Sequence, residues 1–155
     1  GYNQLAWKLR QDERVINMEK QNIRTVTAEQ LGELVDFISI DVAFISLDKV
    51  LPVAITLLKN TGSLVALIKP QFEAGKEKVG KGGIVRERAV HEEVLSRILQ
   101  VAYDCKLYLH GLTFSPIKGT EGNIEFLGYF TKSEEGALSI TDELITAVVD
   151  EAHTL

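Results

Sequence analysis

Asp41, Lys69 and Glu125 are the three residues whose type and setting suit chemistry. Asp41 follows the apolar run Leu34-Val-Asp-Phe-Ile-Ser-Ile, Lys69 follows Ser63-Leu-Val-Ala-Leu-Ile, and Glu125 interrupts Asn123-Ile-Glu-Phe-Leu-Gly-Tyr-Phe. A neutral lysine amine takes a proton from a hydroxyl, while carboxylates nearby orient and tune it. The set therefore suits activation of an alcohol for attack on an electrophile. Each residue also has a plainer reading: a solvated lysine at a strand end, a simple Asp41–Lys69 salt bridge, a Glu125 at an exposed strand end. Period-two alternation places Glu125 on the face of Leu127 and Tyr129, where a charge is costly unless paired, and Lys69 is the partner to propose.

The elements that must position these residues follow from the pattern around them. An unbroken apolar run that stops abruptly at Lys69-Pro-Gln-Phe-Glu73 is how a parallel strand covered on both faces looks as it leaves its sheet. Ligands of open α/β sheets bind at the carboxyl ends of the strands, where both Asp41 and Lys69 stand. A single right-handed crossover makes their two strands neighbours. That crossover reads as a helix capped by Ser46, carrying Leu47, Val50, Leu51, Ala54, Leu57 and Leu58 on one face and stopped by Gly62.

Upstream, the pattern predicts a short helix over 3–11 with Leu5, Leu9 and Trp7 inward, a strand over 14–19, and a helix from Thr27 with Leu31 and Leu34 as its apolar face. The strand at 34–42 reads as buried. Downstream come a long mobile loop over 73–88, a helix over 89–105, strands over 106–113 and 122–131 paired antiparallel, and a terminal helix beginning at Thr141. This alternation predicts an α/β, Rossmann-like fold: a mostly parallel sheet covered by helices on both faces, with an antiparallel edge strand.

Composition narrows the function classes. The 155 residues suit one domain, with 25% charged and 45% apolar residues, ordinary values for a globular protein. A formal net charge of −5 argues against a surface that coats itself in nucleic acid. A local basic lip remains: Lys76, Lys78, Lys81 and Arg86, in the glycine-rich loop, could hold a polyanionic strand or simply be solvated. Gly80, Gly82 and Gly83 do not make a phosphate loop, because no strand, glycine-rich turn and helix with a following Lys-Ser/Thr surrounds them. A single cysteine, Cys105, excludes an internal disulfide and a cysteine zinc site, and fits a reducing, cytoplasmic setting. His91, His110 and His153 read as isolated, so no metal site is expected. No apolar run is long enough for a membrane helix, so stable membrane insertion is not expected.

Several motifs in order resemble the TlyA, or hemolysin A-like, family: Gly1-Tyr-Asn-Gln-Leu-Ala-Trp-Lys-Leu-Arg, Ile40-Asp-Val-Ala-Phe-Ile-Ser-Leu, Val65-Ala-Leu-Ile-Lys-Pro-Gln-Phe-Glu-Ala-Gly, Val79-Gly-Lys-Gly-Gly-Ile-Val-Arg and Ser115-Pro-Ile-Lys-Gly-Thr-Glu-Gly-Asn-Ile-Glu-Phe. The resemblance implies a class I methyltransferase domain similar to FtsJ-type ribose methyltransferases, S-adenosylmethionine as cofactor, and a ribose 2′-hydroxyl of ribosomal RNA, alone or in a ribosomal subunit, as methyl acceptor. Related enzymes use a Lys-Asp-Lys-Glu tetrad, whose aspartate, second lysine and glutamate match Asp41, Lys69 and Glu125. Asn22 matches the place where the adenine is held, Ile23 lies beside it, and Glu19 and Asp41 join them as cofactor contacts. The family's first lysine, its glycine-rich cofactor turn and its S4-like RNA-binding domain precede the part matched here, so the chain reads as a single, N-terminally incomplete methyltransferase domain. Two other readings stand beside this one: an inactive RNA- or ribosome-binding protein of the same fold, and a membrane-lytic hemolysin, which the acidic last helix disfavours.

Overall fold

A computed structural model describes residues 1–155. One sheet holds four strands, β1 (Val35–Ile40), β2 (Leu58–Ile68), β3 (Tyr108–Phe114) and β4 (Phe126–Thr131), in the order β1-β2-β4-β3. β1 and β2 are parallel, and β4 runs antiparallel to both β2 and β3. The reversed strand is therefore interior, not at an edge. The crossover after β2 lands β3 one position away, and the chain returns through the vacant slot, where β4 gains a ladder on each side.

Helices α1 (Trp7–Arg10), α2 (Ala28–Leu31), α3 (Leu47–Leu57), α4 (Pro70–Glu73), α5 (Arg88–Asp104) and α6 (Asp142–Ala152) complete the fold. Their starts are written locally. Ser46 accepts from the Asp48 amide, Thr141 from the Leu144 amide, and Thr27 forms a reciprocal capping box with Gln30. α5 lies between α3 and α6, and all three bury one face of the sheet through Leu51, Leu64, Ile68, Leu95, Ile98, Leu99, Phe126 and Phe130. Each of those side chains gains roughly 1.5–3 kcal/mol from leaving water.

Coverage of both faces is met on one face only. The other face aligns Ser39, Val65, Tyr129 and Gly111 across the four strands and carries no helix; Phe37 and Tyr129 remain 55% and 40% exposed. β1 is accordingly a half-exposed edge strand, not a buried one.

Other expectations also change. Residues 14–19 form no strand, and Ile16 is 81% exposed: β-branched content favours a strand only where a neighbour supplies the ladder. Trp7 and Leu9 point outward, at 70% and 45% exposure, and Leu34 lies beyond α2. Helix α3 ends at Leu57, and Gly62 lies inside β2, where a Cβ would fall 2.9 Å from the Asp36 carbonyl oxygen. The segment 73–88 is built, not formless. It holds a 3-10 turn at Lys76–Lys78 and a Gly80–Ile84 bridge closed by Gly82 and Gly83 at φ of +78° and +76°.

Candidate active site

β1 and β2 end side by side, and Lys69 leaves β2 as the residue before α4. Its Nζ lies 2.6 Å from Asp41 Oδ1; the lysine side chain is 16% exposed and the aspartate 73%. An ion pair this open to water contributes about 0–1 kcal/mol, so stability does not explain its placement. The β2–β4 register closes at Ile68↔Phe126, which makes Lys69 and Glu125 the next opposed residues. The topology thus brings all three predicted catalytic residues to one end of the sheet.

Glu125 is 6% exposed, yet it does not pair with Lys69. Asp41 takes the ammonium, and Gln71, two residues further along in α4, donates Nε2 to Glu125 Oε2 at 2.8 Å. Against the same carboxylate lies Gly119, where a Cβ would fall 2.0 Å from Oε2. Sequence periodicity placed Glu125 within its strand; β4 begins one residue later, at Phe126.

Glu73, at the end of α4, fixes this corner. Its carboxylate, 2% exposed, accepts from Ser46 Oγ at 2.5 Å, the Leu47 amide at 2.9 Å and Arg97 Nη2 at 2.8 Å. A negative group at the start of α3 also meets the positive end of the helix dipole. One side chain thereby joins the segment after Asp41, the helix after Lys69, and α5.

An apolar groove of about 460 Å³ runs along the free edge of β1, lined by Ile23, Leu31, Ile38, Val42, Val50 and Ala54, with Asp41 in its wall. Ile23 and Asp41 both line it. Asn22 is exposed next to Ile23, its Oδ1 accepting from the Arg24 amide. Glu19 stands apart: its carboxylate is taken by Arg10 and by Asn17, whose hydrogen bond is the main reason it is held below the usual glutamate range.

Of the basic lip, Lys76, Lys81 and Arg86 are exposed, while Lys78 reaches both carboxylate oxygens of Glu93 at 2.6 Å. Sequence reasoning missed an aromatic pair at the mouth. Phe44, 90% exposed, lies with its ring centroid 4.8 Å from that of Phe72 in α4. Its φ of 63° is one that a phenylalanine rarely adopts, and that was invisible in the sequence.

The histidines are not all isolated. His91, fully buried, meets His153 at 2.8 Å through Nδ1 and the Val85 carbonyl at 3.0 Å through Nε2. A carbonyl only accepts, so His91 carries its proton on Nε2 and His153 donates to Nδ1. Asn123, also buried, accepts from the Val85 amide and donates to Gly83 and Thr120, tying the glycine-rich segment to the turn before Glu125. No group of His, Cys, Asp or Glu is arranged for a metal ion, and no helix is long and apolar enough to cross a membrane.

The strand order, the reversed inner strand and a site at the carboxyl ends of β1 and β2 define a Rossmann-like methyltransferase fold. The chain belongs to the FtsJ-like methyltransferase family, whose model matches residues 1–132. Among curated proteins it is 51% identical to the "Putative rRNA methyltransferase YqxC" of Bacillus subtilis, over 99% of this chain and 56% of that protein. It is 37% identical to the "16S/23S rRNA (cytidine-2'-O)-methyltransferase TlyA" of Mycobacterium tuberculosis, over 90% of this chain and 52% of that one. A solved "Putative hemolysin from Streptococcus thermophilus" superposes with a TM-score of 0.91 at 46% identity, covering 99% of this chain and 56% of that chain. The likeness to TlyA and hemolysin A expected from the motifs therefore holds. The chain spans about half the length of the curated relatives it matches.

Proposed function

We propose that the protein is an S-adenosylmethionine-dependent methyltransferase acting on a ribose 2′-hydroxyl of ribosomal RNA, with residues 1–155 belonging to its methyltransferase domain. The observation that carries this reading is the Asp41–Lys69 pair at the carboxyl ends of two adjacent parallel strands, with the buried Glu125 opposite Lys69. This chain's share of the cofactor's contacts falls beside the carboxyl end of β1: Ile23 and Val42 would face the ring, with Asn22 at its rim and Asp41 toward the methyl end. The cofactor supplies an electrophilic methyl group on a positively charged sulfur.

Lys69 Nζ, once its ammonium has given a proton to solvent, would take the proton of the ribose hydroxyl, so that the oxygen can bond to the methyl carbon as the carbon–sulfur bond breaks and the sulfur leaves uncharged. Asp41 Oδ1 fixes the direction of that amine, and Glu125 supplies negative charge behind it. RNA is supported by Phe44, an exposed ring set against the half-buried Phe72, on which a base can stack, and by Lys76, Lys81 and Arg86 for phosphates. The names of the relatives point to a cytidine as the acceptor.

The test uses the full-length protein, labelled S-adenosylmethionine and ribosomal RNA or subunits, with 2′-O-methyl nucleosides read by mass spectrometry. Lys69→Ala is expected to abolish transfer while the circular dichroism spectrum is unchanged. Undiminished transfer by that variant would remove Lys69 from the chemistry.

A further inference from the structure

Gln71 makes a contact that the methyl-transfer scheme leaves unused. Its Nε2 donates to Glu125 Oε2 at 2.8 Å, while its Oε1 is buried with no partner. An acceptor shut away from water without a donor costs stability, so the amide is not held there by its own comfort. Its orientation is nonetheless fixed, because turning the carboxamide over would bring two oxygens together. Glu125 in turn is buried with no cation paired to it, and Gln71 is the side chain that donates to it.

Gly119 bounds the same carboxylate from another direction. A Cβ there would fall 2.0 Å from Oε2 and 3.0 Å from Oε1, although the φ of −78° is open to any residue. The glycine is needed for space, not for backbone freedom.

We propose that Gln71 is a positioning residue for methyl transfer: its carboxamide, with Gly119 leaving the room, fixes the Glu125 carboxylate at the register position opposite Lys69. The assignment rests on the reading of this site as a methyltransferase. Gln71 itself touches neither the hydroxyl nor the methyl group and acts through Glu125.

The experiment compares variants of the full-length protein. Gln71→Leu, which removes the unpartnered oxygen but also the donor to Glu125, is expected to lower kcat roughly ten- to a hundredfold with an unchanged KM for S-adenosylmethionine, and its circular dichroism spectrum to stay that of the wild type. Gly119→Ala breaks no hydrogen bond and gives the same split. In a Glu125→Gln background neither change costs more, because the carboxylate they place is gone. Urea unfolding reads the contact without activity, and there Gln71→Leu and Glu125→Leu are expected to be non-additive. Wild-type kcat in Gln71→Leu, or losses that add in the Glu125→Gln background, overturn the assignment. A wild-type protein that transfers no methyl group sinks the functional reading instead, and additive unfolding effects then refute the Gln71 contact by themselves.

Discussion

Acidification should weaken this fold before its carboxylates titrate, and His91 sets the size of the effect. Burial is the main cause that pushes its pKa from 6.5 down to about 4; the Val85 carbonyl opposes this, and the neighbouring His153 adds to it. The folded state therefore keeps His91 neutral at a pH where the unfolded chain has already protonated it. Stability is intact above the unfolded value, begins to fall as the pH drops through 6.5, and goes on falling until about 4. Between about pH 7 and pH 5 the loss from this one group is about 2 kcal/mol. His153 is also lowered, by burial first and then by Arg88 against the opposing Asp150, so it acts in the same direction. The assay is urea unfolding followed by circular dichroism at the two pH values, on the wild type and on His91→Gln. Glutamine can still donate to the Val85 carbonyl but does not titrate, so the variant should lose most of the pH dependence. An equally steep fall in His91→Gln would refute the argument.

Two further outcomes complete those given with the site. Glu73→Ala removes the carboxylate shared by Ser46, the Leu47 amide and Arg97, three hydrogen bonds of about 1 kcal/mol each, and should cost about 3 kcal/mol in urea unfolding; a loss near zero would mean that the corner is held by other contacts. Phe44→Gly removes the left-handed strain and the ring contact with Phe72 together, so stability should change by less than about 1 kcal/mol. The same variant should raise KM for RNA several-fold and leave that for S-adenosylmethionine alone, and an unchanged KM for RNA would dismiss the stacking role.

Asp41 and Lys69 were legible because an apolar strand ending in a charge needs no knowledge of its neighbours to be read. The caps at Thr27, Ser46 and Thr141 were legible for the same reason, since each is settled within a few residues. What failed depended on partners distant in the chain. Residues 14–19 have strand composition but no strand to pair with, and β4 is interior because of where β3 lands. Glu125 was recognised as a charge in need of a partner, yet nothing in the alternation favours Gln71 over Lys69; only the path of α4 does. His91 and His153 are 62 residues apart, and no spacing rule joins them.

For residues 1–155 taken by themselves, the sheet with one bare face also has a calorimetric signature. Only 31 of the 155 residues are buried, and Phe37 and Tyr129 already meet water in the folded state. Unfolding therefore hydrates less new apolar surface than it does in a domain of this length with both faces covered. The usual heat-capacity increment of about 12–15 cal/mol/K per residue becomes an upper bound, and the denaturant slope falls with it. A smaller increment lowers the curvature of stability against temperature, so for these residues stability changes more gently on either side of its maximum.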